Sequence, residues 1–138
     1  VNAGFGLEAA RRVLAAQPFS RLLGAELAAC GEGRAELVLG LRETFLQQHG
    51  FVHGGVLSYL ADNALTFAGG SLWGDGLTAQ YTLHYLRPAR GERLVARAEV
   101  IHAGRRRALC RCQIVARDGE VQTPVVFAIG TIVNPGAS

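Results

Sequence analysis

The sequence predicts an α+β fold in which one long helix lies against an antiparallel sheet. Residues 55–68, GVLSYLADNALTFA, form an almost unbroken run of apolar and small residues, enough for about four helical turns. From residue 78 onward the chain instead alternates apolar and polar residues with period two, broken by short turn sequences. With 138 residues and a 49% hydrophobic composition, a single globular domain over residues 1–138 is expected.

Taken in order, LEAARRVLAA (7–16) suits a short amphipathic helix ended by Gln17-Pro18, and PFSRLLG adds a further turn. Two strand-like runs follow, 22–30 and 34–41, joined by the turn CGEGR. The loop RETFLQQHGFVHGG leads into the central helix. After Gly69-Gly70 and SLWGDG, the run TAQYTLHYL reads as a strand. Strict alternation puts Thr78, Gln80, Thr82 and His84 on one face and Ala79, Tyr81, Leu83 and Tyr85 on the other. RPARGE turns into LVARAEVIH, and AGRR turns into RALCRCQIVA, with Ala108, Cys110, Cys112, Ile114 and Ala116 inward. RDGE is a short hairpin turn before VQTPVVFAIGTIV, where Pro124 calls for a bulge or an unpaired edge. The expectation is about six strands, the last four joined consecutively by hairpins.

Composition excludes several function classes. No apolar run reaches the length of a bilayer span, and the first segment places its arginines inside the apolar stretch rather than before it, unlike a secretory signal. A cytoplasmic protein without a membrane partner is expected. Three cysteines, an odd number lacking CxxC spacing, argue against a disulfide framework and a zinc site, so no metal and no cofactor are expected. All 14 basic residues are arginine. Five face six acids in residues 1–69 and nine face five in residues 70–138. Arginine forks bind phosphate, so the second half suits a phosphorylated ligand, the alternative being a solvated strand face. No basic helix or aromatic-basic interleaving is present, so nucleic acid is not expected as a partner.

Asp62 interrupts the apolar helix. With Ser58 and Thr66 it is spaced four residues apart, forming one thin polar stripe. A buried, unpaired carboxylate costs several kcal/mol, of the order quoted for desolvated ions. Either an arginine neutralises it or the stripe faces a cleft where the charge has a role. At the helix start, His53-Gly54-Gly55 presents backbone N–H groups with no intrahelical partner, and a glycine at 54 admits an approaching oxygen. That is the composition of an oxyanion hole for acyl transfer; the alternative is a tight turn or close helix packing. Gly54 and Asp62 lie about 12 Å apart along one helix, too far to serve one carbonyl. A two-fold dimer with antiparallel helices would bring Gly54 of one chain to Asp62 of the other, twice over.

The motifs HGFVHGG, VLSYLADNALTFA and GLTAQYTLHYLRPA together closely resemble the hotdog-fold acyl-CoA thioesterases, in particular the group that includes the phenylacetate-pathway thioesterases. The resemblance runs from about residue 18 to 133. It implies a central helix wrapped by a curled antiparallel sheet, sites at a dimer interface, and dimers that pair into tetramers. It further implies that Asp62 is the nucleophile or the general base for water, and that the Gly54 N–H polarises the thioester carbonyl. Thr78 would hold the attacking water or the carboxylate, and His53 would shape the loop. The family's asparagine six residues before that histidine is replaced by Gln47, with Gln48 as the neighbouring substitute and His49 also within reach. Gly55 and Ser58 complete the substrate-binding candidates.

The implied substrate is an acyl-CoA, its nucleotide phosphates held by Arg87, Arg90, or the run Arg105, Arg106 and Arg107. Tyr59, Phe67, Trp73 and Phe51 are candidates for an acyl pocket or for plain core. Two rival functions are a hydroxyacyl-thioester hydratase or dehydratase using His49 or His53 with Asp62, and a non-catalytic acyl-CoA-binding oligomer.

Overall fold

The computed structural model describes residues 6–137. The apolar run becomes helix α3 (Gly54–Gly70), because Leu57, Leu60, Ala61, Ala64, Leu65 and Ala68 recur at helical spacing and are all buried. Its start is set by His53, whose Nδ1 accepts the Gly55 N–H at 2.8 Å. Two short helices precede it, α1 (Leu7–Ala15) and α2 (Pro18–Leu23), with Pro18 opening α2 and Gly24 closing it in the left-handed region at φ 85°.

Six strands make one antiparallel sheet: β1 (Glu26–Gly31), β2 (Arg34–Gly40), β3 (Leu77–Tyr85), β4 (Arg93–Ala103), β5 (Arg107–Asp118) and β6 (Val121–Val133), in the order β1-β2-β4-β5-β6-β3. The core lies between the inner face of this sheet and α3. As the alternation predicts, Ala108, Cys110, Cys112, Ile114 and Ala116 all point into it. On the opposite face, Arg97 pairs with Glu36 at 3.2 Å, and Arg111 and Arg34 both pair with Glu99, so these arginines belong to a solvated cross-strand ladder. The hydrogen bond and charge of Arg111 hold the Glu99 carboxyl below its ordinary range.

Three expectations need correction. Residues 22 and 23 end α2, and the first strand begins at Glu26. β3 and β4 do not form a hairpin, because residues 86–92 cross the ends of β6 and β5 and leave β3 as an edge strand against β6. The crossing is tied down by Leu86 N–H to Val125 O and Glu92 N–H to Arg117 O, both at 2.8 Å. Gly91, at φ 138°, permits it, since a Cβ there would lie 2.4 Å from Arg117 O. The third concerns β3 itself. Thr78 pairs with Ile132 but Gln80 with Thr131, leaving Ala79 as a bulge residue. That extra residue turns Thr78 and Tyr81, three apart, to the same helix-facing side, against the strict alternation. The expected irregularity at Pro124 is present, with a register shift opposite it between Ile114 and Val115.

Gly130 on β6 pairs with Tyr81, and a Cβ at 130 would meet Tyr81 Cβ at 2.5 Å and Gln80 O at 2.6 Å. Gly130→Ala is therefore expected to destabilise the protein by about 1–3 kcal/mol, measured as a lowered urea midpoint at unchanged slope. Burial pushes the Cys30 and Cys110 thiols up to about 11 and Cys112 up to about 12, so all three are protonated at pH 8. A disulfide dye at that pH should label the native protein many times more slowly than the urea-unfolded chain.

Candidate active site

The polar stripe of α3 faces the edge strand. Thr78 Oγ1 donates to Asp62 Oδ1 at 2.5 Å, and Thr66 Oγ1 lies 2.7 Å from Thr78 Oγ1 and 2.8 Å from the Asp62 backbone carbonyl oxygen. One turn earlier, Ser58 Oγ is hydrogen-bonded to Tyr81 Oη. Asp62 is half-buried, not enclosed among the core residues around it, and its Oδ2 has no partner among the described residues. No ion pair among those residues involves Asp62. Of the two alternatives the sequence leaves open, neutralisation by arginine is absent and the open stripe remains.

A second group forms at the start of α3. An open depression of about 610 Å³ is lined by Gln47, His53, Gly54, Gly55, Tyr85 and Arg87 among others. The Gly55 N–H is consumed by His53 Nδ1 and the Val56 N–H by His53 O, whereas the Gly54 N–H has no acceptor among the described residues. Gly54 also lies against Tyr85, whose hydroxyl donates to Gly54 O at 3.0 Å. A Cβ on Gly54 would meet that hydroxyl oxygen at 3.0 Å. A free N–H at a helix N-terminus is a donor aimed at an oxyanion or a polarised carbonyl.

Gln47 sits in this group with its side chain half committed. Its Oε1 accepts the His49 N–H at 2.5 Å and the Phe51 N–H at 3.4 Å, closing the loop, while Nε2 has no partner among the described residues and remains a donor. Gln48 and His49 are exposed on that loop outside the lining of the depression. His53, by accepting through Nδ1, takes the neutral tautomer with its proton on Nε2.

The predicted residues thus fall into two half-sites at different heights along one helix: Gln47, His53, Gly54 and Gly55 at its start, and Ser58, Asp62 and Thr78 further along. The arginines divide in the same way. Arg87 lines the depression and donates to Pro124 O at 3.1 Å, with exposed Arg90 nearby in the crossover. Arg105 and Arg106 lie in the β4–β5 turn, beyond the other end of an 11-residue strand, about 35 Å away. There they neighbour the Thr78 end of the sheet, since Ala108 and Thr78 both pair with Ile132. One chain does not bring the two arginine pairs to one ligand.

Sequence reasoning missed Tyr81 and Tyr85 as site residues and left Thr66 as mere stripe. Tyr81 carried a signal, a hydroxyl on a strand facing a helix with a polar stripe, but the alternation put Thr78 on the opposite face. Nothing in the pattern marked Tyr85. Among the acyl-pocket candidates, Phe67 is core at 5% exposure, while Tyr59, Phe51 and Trp73 are half-buried. Among the described residues no helix is long and apolar enough to cross a membrane, and no His, Cys, Asp and Glu cluster has the spacing of a metal site.

Comparison with known proteins identifies this architecture. The sequence profile described as "Thioesterase superfamily" matches residues 49–123. The acyl-coenzyme A thioesterase PaaI of Escherichia coli strain K12 is 31% identical over 97 residues, covering 70% of this chain and 69% of that protein. A thioesterase family protein from Silicibacter pomeroyi superposes with a TM-score of 0.87 at 31% identity, over 91% of this chain and 95% of that one. The E. coli PaaI protein from the phenylacetic acid degradation operon does so with a TM-score of 0.86 at 26% identity, over 95% and 94%. The chain belongs to the thioesterase superfamily and is a hotdog-fold hydrolase of thioester bonds.

Proposed function

We propose that the protein hydrolyses a small aromatic or short- to medium-chain acyl-CoA to the free acid and CoA, at two sites shared across a homodimer. The observation that carries this reading is the Asp62 carboxylate: one oxygen is held by Thr78, and among the described residues the other has no hydrogen-bond partner and the group has no ion pair. The thioester carbonyl accepts from the Gly54 N–H of one chain. Asp62 of the other chain either takes a proton from the attacking water or attacks the carbonyl carbon itself, forming a mixed anhydride that water then hydrolyses. In both routes the sulfur leaves with the bonding pair and takes up a proton as the CoA thiol. Gln47 Nε2 is a second donor on the Gly54 side. The E. coli relative is by name an acyl-coenzyme A thioesterase, which supports the same substrate class.

The edge strand supports the dimer. β3 runs nine residues with an unpaired outer edge and no Lys, Arg, Asp, Glu or Pro to discourage pairing. Ser58 lies midway between Gly54 and Asp62, and it is bonded to Tyr81, the middle residue of β3. Antiparallel pairing of two β3 edges about Tyr81 would therefore also set two α3 helices with residue 54 facing residue 62. The same rotation would bring Arg87 and Arg90 of one chain to the end that holds the partner's Arg105 and Arg106, where CoA phosphates would lie. The hydratase reading is less well supported, because His53 presents a proton on Nε2 rather than a base and His49 sits exposed on the loop.

Thiol release from a panel of acyl-CoAs tests the reaction, with enoyl absorbance as the measure of the hydratase alternative. Asp62→Asn should lower kcat by about a thousandfold or more with the fold intact by circular dichroism, and full turnover in this variant would end the assignment. Thr78→Ala should lower kcat about ten- to a hundredfold, with Thr78→Ser restoring most of it. Site sharing is tested by mixing inactive chains. Asp62→Asn and Gly54→Pro, the latter lacking the N–H at a helix position that tolerates proline, should each be inactive. After co-refolding in equal amounts they should recover about a quarter of wild-type activity, since half the dimers carry one intact site. No recovery would place both groups' work within a single chain.

A further inference from the structure

The outward flank of α3, beside Asp62, is covered by α2 through a polar network that the reaction does not use. Ser20, 2% exposed, lies with its Oγ 2.6 Å from Gln17 Oε1 and 2.7 Å from Tyr59 Oη. Asn63 Nδ2 donates to the same two atoms, Gln17 Oε1 at 3.3 Å and Ser20 Oγ at 3.2 Å. Two hydroxyls and two amides thus pin α2 to two consecutive turns of α3. Such a closed network is costly to leave half made, so it fixes the helix's position rather than merely decorating it.

What it positions is an aromatic ring. Phe19, next to the buried Ser20, is 56% exposed and meets Tyr59 edge-on, with centroids 5.3 Å apart and planes at 82°. Tyr59 in turn is three residues before Asp62 on the helix, so their Cβ atoms are neighbours at about 5–6 Å. Asp62 is therefore flanked by hydroxyls of β3 on one side and by an apolar aromatic pair on the other. An acyl group whose carbonyl carbon is at Asp62 cannot extend toward Thr78 and Thr66, which occupy that side. On the flank toward Tyr59 the polar atoms are engaged with one another, and the exposed apolar surface is the Phe19 ring.

Resting on the thioesterase reading above, we propose that Phe19 is the specificity-determining residue of the acyl site: α2 holds its ring as the wall against which the far end of the acyl group packs, and so limits acyl length. Gln17, Ser20 and Asn63 act as positioning residues for that wall. Asp62, held by Thr78, and the backbone donor of Gly54 set the chemistry, while α2 sets which acyl groups reach it.

The test measures thiol release by the full chain over straight-chain acyl-CoAs from acetyl to hexadecanoyl. Wild type, Phe19→Ala, Phe19→Trp and Leu22→Ala are compared, Leu22 being an exposed apolar residue of the same short helix. Phe19→Ala should move the best substrate to longer chains, raising kcat/KM for the first poorly used length about tenfold or more. Phe19→Trp should move it to shorter chains by a similar factor. Leu22→Ala should leave the order unchanged. Asn63→Ala should broaden the preference through KM with little change in kcat on the shortest substrate. An unchanged order in both Phe19 variants, with wild type active, overturns the inference alone. So does a weakened dimer with unchanged order, which would make Phe19 an intersubunit contact. Absence of thiol release from wild type on every substrate overturns the thioesterase reading and this inference with it.

Discussion

The hydrogen bond from Thr78 to Asp62 joins the edge strand to the central helix, and much of the architecture exists to make it possible. A carboxylate on an otherwise apolar helix is unfavourable unless something holds it, and a hydrogen bond to a charged acceptor is worth about 1.5–3 kcal/mol. Thr78 on the inner face of the adjacent strand supplies it at 2.5 Å, closer than Thr66 of the helix itself at 3.5 Å. On a regular strand Thr78 and Tyr81 would face opposite ways. The bulge at Ala79 puts both on the helix side, where Tyr81 meets Ser58 just as Thr78 meets Asp62. Gly130 opposite Tyr81 leaves room for the strand to come close enough. Bulge, glycine and polar stripe are one device seen from three elements.

That device also requires β3 to be where it is. A hairpin from β3 to β4 would have set β3 beside β4, inside the sheet rather than at its margin. The crossover over the ends of β6 and β5 puts β3 at the margin instead, and the margin is the part of a sheet open to another chain. Helix length then imposes its own limit. The Gly54 donor and the Asp62 carboxylate are separated by about two turns of a rigid rod, and no side-chain rotation closes about 12 Å. Rigidity here does not obstruct the proposed chemistry; if both groups serve one carbonyl, it requires that the two halves come from different copies.

The long helix, its stripe, the glycine pair at its start and the strands after residue 77 were all legible because each is a local pattern with a characteristic period. What was not legible is nonlocal or breaks the period. Alternation assigns faces by counting, so one inserted residue at Ala79 inverts the assignment of everything on one side of it, and Thr78 was put opposite Tyr81 for that reason. The turn RPARGE looks like a hairpin because its composition is turn-like, although its ends bond to β6 and β5 rather than to each other. The arginines were read as alternative phosphate-binding candidates, Arg87, Arg90 or the run 105–107, since a linear sequence does not show that Arg87 and Arg106 are at opposite ends of β4. Residues 22 and 23 were read as strand because two leucines fit either period.

The placement of charge argues that Asp62 is kept reactive rather than merely tolerated. If a carboxylate on this helix served only packing, the ready solution would be to pair it with a guanidinium, and the chain has 14 arginines available. Arg97 and Arg111 are instead spent on Glu36 and Glu99, on the outer face where solvent already stabilises both signs and an ion pair contributes little. Asp62 receives hydroxyls on one oxygen and, among the described residues, nothing on the other. A bidentate arginine would occupy both oxygens and stabilise the ionised carboxylate, weakening it as nucleophile and as base. Neutral hydroxyls on one oxygen orient the group without filling it. An acid held this way, beside the edge strand and without an ion pair among the described residues, has the form that the proposed intersubunit site requires.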